Sequence, residues 1–240
     1  MKLLSIIIPF LNEERTITAT LDRIIHVDLE KIWYQKEILL VNDWSTDNSE
    51  AVILPYTKKN HKHCEIRYIK NPKNIGKWWS VKNGIKHANG DVYIIQDADS
   101  EYEPNDYLSI LHKMDKENLD IVYWSRILWL FKLKNTYSKV TFLFGGLLVS
   151  FLTSLLSFNL VTDEPTCYKT FKKKLRDDLL LPTENWFEWE PAITMLLLKK
   201  GYSYWEVPIH YKARNVAEGK KIKWQDWVKA LKTLLKWRFF

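Results

Sequence analysis

Glycine is scarce in this chain. There are 7 glycines among 240 residues, where an average usage of about 7% would supply roughly 17. Tryptophan is correspondingly abundant, at 12. The shortage excludes the glycine-rich phosphate loops. No G-x-G-x-x-G follows the first apolar run, and no G-x-x-x-x-G-K-[ST] occurs anywhere, so neither a dinucleotide fingerprint nor a P-loop is offered. Cysteine is scarcer still. Cys64 and Cys167 lie far apart, with no metal-type spacing and no disulfide framework, which points to two thiols in a reducing compartment. The opening MKLLSIIIPFLNEE turns acidic too soon to read as a secretory signal. Low-complexity linkers and internal repeats are absent from the sequence.

What is present is an ordinary globular balance, 46% hydrophobic and 27% charged, with a net charge of +7 that suits phosphate-bearing or anionic partners. Apolar runs alternate with helical spacing. LLSIIIPF (3–10), EILLVND (37–43), EIRYIKN (65–71), DVYIIQD (91–97) and LDIVYWSR (119–126) read as strands. The segments NEERTITATLDRII, TDNSEAVILPYTKK, GKWWSVKNGIKHA and PNDYLSILHKMDKE between them read as helices. This alternation predicts an α/β, doubly wound, mostly parallel sheet flanked by helices. Ligands of such sheets sit at the carboxyl ends of the strands, so Asn12, Asp43, Asn71, Asp97 and Arg126 are expected to share one edge.

One of those ends is dense in carboxylates. IIQDADSEYEP (94–104) leads an apolar run into Asp97, Asp99, Glu101 and Glu103 on alternate positions. Neighbouring carboxylates raise each other's pKa, so they need a counter-charge. A hard divalent cation bound to a diphosphate would supply it. A solvated acidic turn ahead of a helix is the plainer alternative for an isolated D-x-D.

The second half differs. From Val140 to Thr162, VTFLFGGLLVSFLTSLLSFNLVT has no charged residue. Its length admits a transmembrane span, a broken pair of helices in the membrane interface around Gly145-Gly146, or a buried hairpin. EPAITMLLLKKG (190–201) reads as a helix and YWEVPIHYKAR as extended. The tail KKIKWQDWVKALKTLLKWRFF reads as a basic amphipathic helix, suited to a membrane face or to packing on the domain.

Taken together, SIIIPFLNEE (5–14), LLVNDWSTDNS (39–49), NPKNIGK (71–77), IIQDADSEYEP (94–104), WSR (124–126), TDEPTCYKTF (162–171) and VPIHYKARNVAEGKKI (207–222) resemble, in order and over nearly the whole chain, the family 2 glycosyltransferases of the GT-A fold. The likeness is to their polyprenyl-phosphate (dolichol-phosphate) mannose synthase-like branch. The resemblance implies one GT-A domain over 1–240, with a nucleotide-sugar half (1–126) and an acceptor and membrane-associated half (127–240) carrying interfacial amphipathic helices. It implies an inverting hexosyltransferase that uses Mg²⁺ or Mn²⁺, a GDP- or UDP-hexose and a polyprenyl phosphate, peripheral on the cytoplasmic face of a membrane. A saccharide or cell-envelope acceptor, or a non-catalytic membrane-associated homologue, is the alternative. Nucleic acid is not expected, because the acidic stretch would repel a phosphate backbone.

Position by position, Pro9, Asn12 and Glu13 match the nucleotide-contacting loop and Asp43 the base-reading aspartate. Lys77 would lie near the diphosphate. Asp97 would face ribose and sugar, and Asp99 and Glu101 would hold the metal. Arg126, Arg214, Lys220 and Lys221 match the basic groups that meet the donor diphosphate and the lipid phosphate, with Asp97, Asp99 and Arg126 as the catalytic set. Glu190 falls in a segment like the family's F-E-P-E, but Ala192 replaces its second acid, so no role is carried over to Glu190. Trp44, Trp78, Trp124 and Trp186 stand where the family commonly has glycine. The tryptophan surplus is similar in size to the glycine deficit, as reading UGA glycine codons as tryptophan would produce.

Overall fold

The computed structural model describes residues 1–128, 140–212 and 224–240. Strands β1 (Lys2–Phe10), β2 (Tyr34–Asn42), β3 (Cys64–Lys70), β4 (Val92–Ile95) and β5 (Ile121–Ser125) form where the apolar runs predict them. Helices α1 (Ile17–His26), α2 (Ser49–Lys58), α3 (Lys77–His87) and α4 (Tyr107–Lys116) connect them. The later chain adds α5 (Val140–Ser157), β6 (Lys169–Lys172), α6 (Arg176–Leu180), α7 (Trp189–Lys199), β7 (Tyr204–Pro208) and α8 (Trp224–Phe239).

Among the described residues seven strands join one sheet in the order β3-β2-β1-β4-β6-β5-β7. It is parallel except for β6, which runs antiparallel between β4 and β5. Period-two alternation divides the core. Leu4, Ile6 and Ile8 of β1 face α1 and α4, while Ile7 packs with Trp78, Val81 and Ile85 of α3 and Ile193 of α7. Each such fully buried aliphatic side chain contributes about 1.5–3 kcal/mol. The short KTFK strand escapes a pattern reading because it offers too few residues to show a period. Its place is set by neighbours distant in sequence, Tyr93↔Phe171 and Val122↔Thr170.

Register brings the strand ends together. β1 and β2 stay paired through Phe10↔Asn42, and β2 and β3 through Asn42↔Lys70. The Gln96 amide continues the β4 ladder to the Ile7 carbonyl at 2.9 Å.

The glycine pair in the uncharged stretch does not break it. α5 runs on through Gly145-Gly146. A Cβ at Gly145 would come within 2.6 Å of the Trp227 indole of α8, so the missing side chain admits close helix packing rather than a bend. Among the described residues no helix is long and apolar enough to cross a membrane. α5 packs on α7 and α8 through Val149, Met195, Ala230 and Leu234. Along its other side Phe144, Leu148, Phe151 and Leu155 are exposed, followed by Phe158 and Leu160.

Candidate functional site

The loops after β1, β2 and β3 are tied to one another. Asn12 adopts φ 57°, a left-handed conformation that asparagine tolerates. Its side-chain oxygen accepts from the Thr46 amide at 2.8 Å, and its own amide donates to Ser45 Oγ at 3.0 Å. Glu13 donates its amide to Ser49 Oγ at 2.8 Å and accepts from Thr16 Oγ1 at 2.7 Å, just before α1. Pro9 is buried in β1 opposite Val41. Asp43 is buried and closes the 71–76 loop: Oδ1 accepts from Asn71 Nδ2 (3.0 Å) and the Ile75 amide (2.8 Å), and Oδ2 from the Gly76 amide (2.8 Å). Gly76 has φ 89°, a left-handed conformation in which a Cβ would be strained and would press on the Asn185 side chain, so glycine suits this turn.

The acidic stretch is anchored from beneath. Buried Gln96 accepts from the hydroxyls of Tyr107 and Tyr168 and donates to the Asp97 carbonyl at 2.8 Å. Thr20 Oγ1 of α1 donates to the Asp99 carbonyl at 2.9 Å, and Arg23 donates to the Tyr102 carbonyl at 2.6 Å. The counter-charge for Asp97 is a lysine: Lys77 Nζ, at the start of α3, lies 2.6 Å from Asp97 Oδ1. It also donates to Cys167 Sγ at 3.0 Å. Burial works against the Lys77 charge, but Asp97, Cys167 and Glu190 outweigh it and hold the pKa well above the ordinary lysine value. Asp99 is buried, and its Oδ1 accepts from the Glu101 amide at 3.1 Å. Glu101 Oε2 accepts from Tyr211 OH at 3.2 Å.

Arg126, just past β5, is clasped by Asp163. Its amide and Nε donate to Oδ2 (2.7 and 2.8 Å), and Nη2 donates to Oδ1 (2.8 Å) and to the Pro165 carbonyl (2.8 Å). The guanidinium sits 5.1 Å over the Tyr211 ring. Burial opposes its charge, and Asp163 reverses that and pushes the pKa well up.

The expected residues Pro9, Asn12, Glu13, Asp43, Lys77, Asp97, Asp99, Glu101 and Arg126 therefore gather at one sheet edge. Arg214, Lys220 and Lys221 lie outside the described residues. The structure adds Thr20, Gln96, Asp163, Glu164, Cys167 and Lys169, which pattern reading passed over. Several belong to TDEPTCYKTF, a segment legible as a motif but not residue by residue.

Among the described residues no three His, Cys, Asp or Glu side chains converge on a metal position. Mg²⁺ and Mn²⁺ do not need such a cage. They take one or two carboxylates and complete the shell with phosphate and water. Asp99 and Glu101, two hard oxygen donors in one anchored loop, fit that requirement.

Comparison with known proteins gives the following. Residues 5–180 match the model of glycosyl transferase family 2. A dolichyl-phosphate beta-glucosyltransferase of Trichomonas vaginalis is 25% identical, over 99% of this chain and 73% of its own length. An undecaprenyl-phosphate 4-deoxy-4-formamido-L-arabinose transferase of Salmonella choleraesuis is 22% identical over 92% of this chain and 63% of its own length. The fold matches Mycobacterium tuberculosis glucosyl-3-phosphoglycerate synthase bound to UDP, with a TM-score of 0.71 and 16% identity over 99% of this chain and 80% of the other. That enzyme has also been solved with Mn²⁺, UDP and glucosyl-3-phosphoglycerate.

Proposed function

We propose, from the premise that this chain belongs to glycosyl transferase family 2, that it moves a hexose, glucose or mannose, from a nucleoside-diphosphate sugar to a polyprenyl phosphate at a membrane surface. The observation that carries this is the pair of cations Lys77 and Arg126, each held charged by an acid beside the Asp97–Glu101 loop. The acceptor in this reading is a phosphate monoester, already anionic near neutral pH, so no strong general base is required. The chain must instead bring two anions together and stabilise the departing nucleoside diphosphate. Lys77 meets the donor diphosphate, Asp97 orients ribose and sugar, and Asp43 and Asn12 shape the nucleotide loop. Arg126, with Arg214, Lys220 and Lys221, receives the lipid phosphate. Mg²⁺ or Mn²⁺ on Asp99 and Glu101 would neutralise diphosphate charge. A single displacement by the acceptor oxygen inverts the anomeric centre.

The exposed stripe Phe144–Leu160 supports action at a bilayer. The chain that leaves α5 runs through Thr162 to Asp163, the partner of Arg126, which supports a path for an apolar acceptor from the stripe toward Arg126. Incubation with radiolabelled UDP-glucose or GDP-mannose and a short-chain polyprenyl phosphate tests the reading. Mn²⁺- or Mg²⁺-dependent transfer of label to the lipid supports it. Retained donor binding without transfer to any polyprenyl phosphate overturns it.

A further inference from the structure

Behind Lys77 the fold buries a second set of charges that the proposed reaction does not use. Glu164 is fully buried ahead of β6, and Glu190 is buried in the first turn of α7. Glu164 Oε1 accepts from Thr194 Oγ1 at 3.2 Å, and Lys169 Nζ lies 4.0 Å from it while donating to the Glu164 carbonyl at 2.6 Å. Glu190 Oε1 accepts from the Cys167 thiol at 3.6 Å. Among the described residues, the Oε2 atom of each glutamate is buried without a hydrogen-bond partner. Facing Glu190 are Lys77 from α3, Asp97 after β4, Arg126 after β5, Glu164 and Cys167 before β6, and Lys169 in β6.

Among the described residues, the charges do not balance if both glutamates ionise. Arg126 is clasped by Asp163, and Lys77 is closest to Asp97. Lys169 is left between two carboxylates, each with an unsatisfied oxygen. Burying an uncompensated carboxylate costs so much that the group takes up a proton instead. Lys77 links this pair to the donor edge, because Cys167 touches Lys77 on one side and Glu190 on the other.

We propose that Glu164 and Glu190 hold one proton between them, and that Glu190 acts as a positioning residue which couples its protonation to donor binding at Lys77. The coupling rests on the reading of the site given above. A diphosphate drawn to Lys77 competes with Glu190 for its charge, so the protonated form of Glu190 gains and the protein takes up part of a proton. By linkage, protonation must tighten donor binding to the same degree. Burial supports the direction: it raises the pKa of Glu190 and takes that of Glu164 to about 8.

The test is calorimetric titration of UDP-glucose and GDP-mannose at saturating Mg²⁺ in two buffers of different ionisation enthalpy. Neither donor has a group that titrates near neutrality, so any proton must enter the protein. The wild type is expected to take up a fraction of a proton, with affinity falling up to about tenfold between acid and alkaline limbs, the equivalent of one pKa unit. Glu190→Gln, a neutral isostere, is expected to abolish both effects. Donor binding without proton uptake, or uptake unchanged in Glu190→Gln, overturns the coupling. Carbon-13 NMR of glutamate carboxyls in the donor-free protein tests the shared proton separately. One carboxyl signal should titrate well above the rest and be altered by Glu190→Gln and Glu164→Gln. If every glutamate titrates in the ordinary range, the shared proton is refuted, whether or not a donor binds.

Discussion

Trp44 follows the buried Asp43 with φ 68°, and Trp33 has φ 62°. An L-residue with a Cβ pays about 1–2 kcal/mol in the left-handed region. Trp44→Gly is therefore expected to stabilise the protein by about 1 kcal/mol, raising its melting temperature, and to open the loop after β2. Peptide mass spectrometry of the protein from its native host tests the codon account directly: glycine at 44, 78 and 124 supports it, and tryptophan there contradicts it. Not all of these positions look strained. Trp124 is buried and donates to Thr170 Oγ1 at 2.8 Å, and Trp78 stacks on Trp189 at 4.3 Å. Much of the candidate site was legible at this scale. Alternate acids at the end of an apolar run mark Asp97, Asp99 and Glu101 without any fold. What a linear reading does not show is how each charge is balanced. Lys77 reaches Asp97 and Asp163 reaches Arg126 across 37 positions, contacts set by the sheet rather than by local sequence.

At the scale of elements, the proposed membrane contact rests on α5. An uncharged stretch alone permits a span, an interfacial helix or a buried hairpin. Packing against α7 and α8 buries one side and leaves Phe144, Leu148, Phe151 and Leu155 outward. Replacing Phe151 and Leu155 with serine is expected to cut binding to anionic vesicles at least tenfold in a sedimentation assay, because each buried CH₂ is worth about 0.8 kcal/mol. The melting temperature should change little, since neither side chain packs in the core. The strands of the first half were legible as apolar runs. β6 was not, because a four-residue strand inserted antiparallel is specified by its neighbours.

At the scale of the whole molecule, the buried acids make stability depend on pH. Glu164 has its folded pKa raised by burial to about 8, above its unfolded value. Its contribution is complete below the ordinary glutamate range and is lost as pH rises toward about 8. Glu164→Gln cannot ionise, so the stability of the wild type relative to this variant should decline across that window in paired urea titrations. The same strand-end edge that gathers Asp43, Lys77, Asp97 and Arg126 is the crevice where ligands of parallel sheets bind. The central claim is that a divalent cation on Asp99 and Glu101 completes a diphosphate site beside Lys77. Isothermal titration of UDP-glucose and GDP-mannose, with Mn²⁺ or with a chelator, tests it most directly in the wild type and in Asp99→Asn. One donor should bind only with Mn²⁺ and bind at least about tenfold more weakly to Asp99→Asn; equal binding under chelation, or affinity untouched by the substitution, would contradict it.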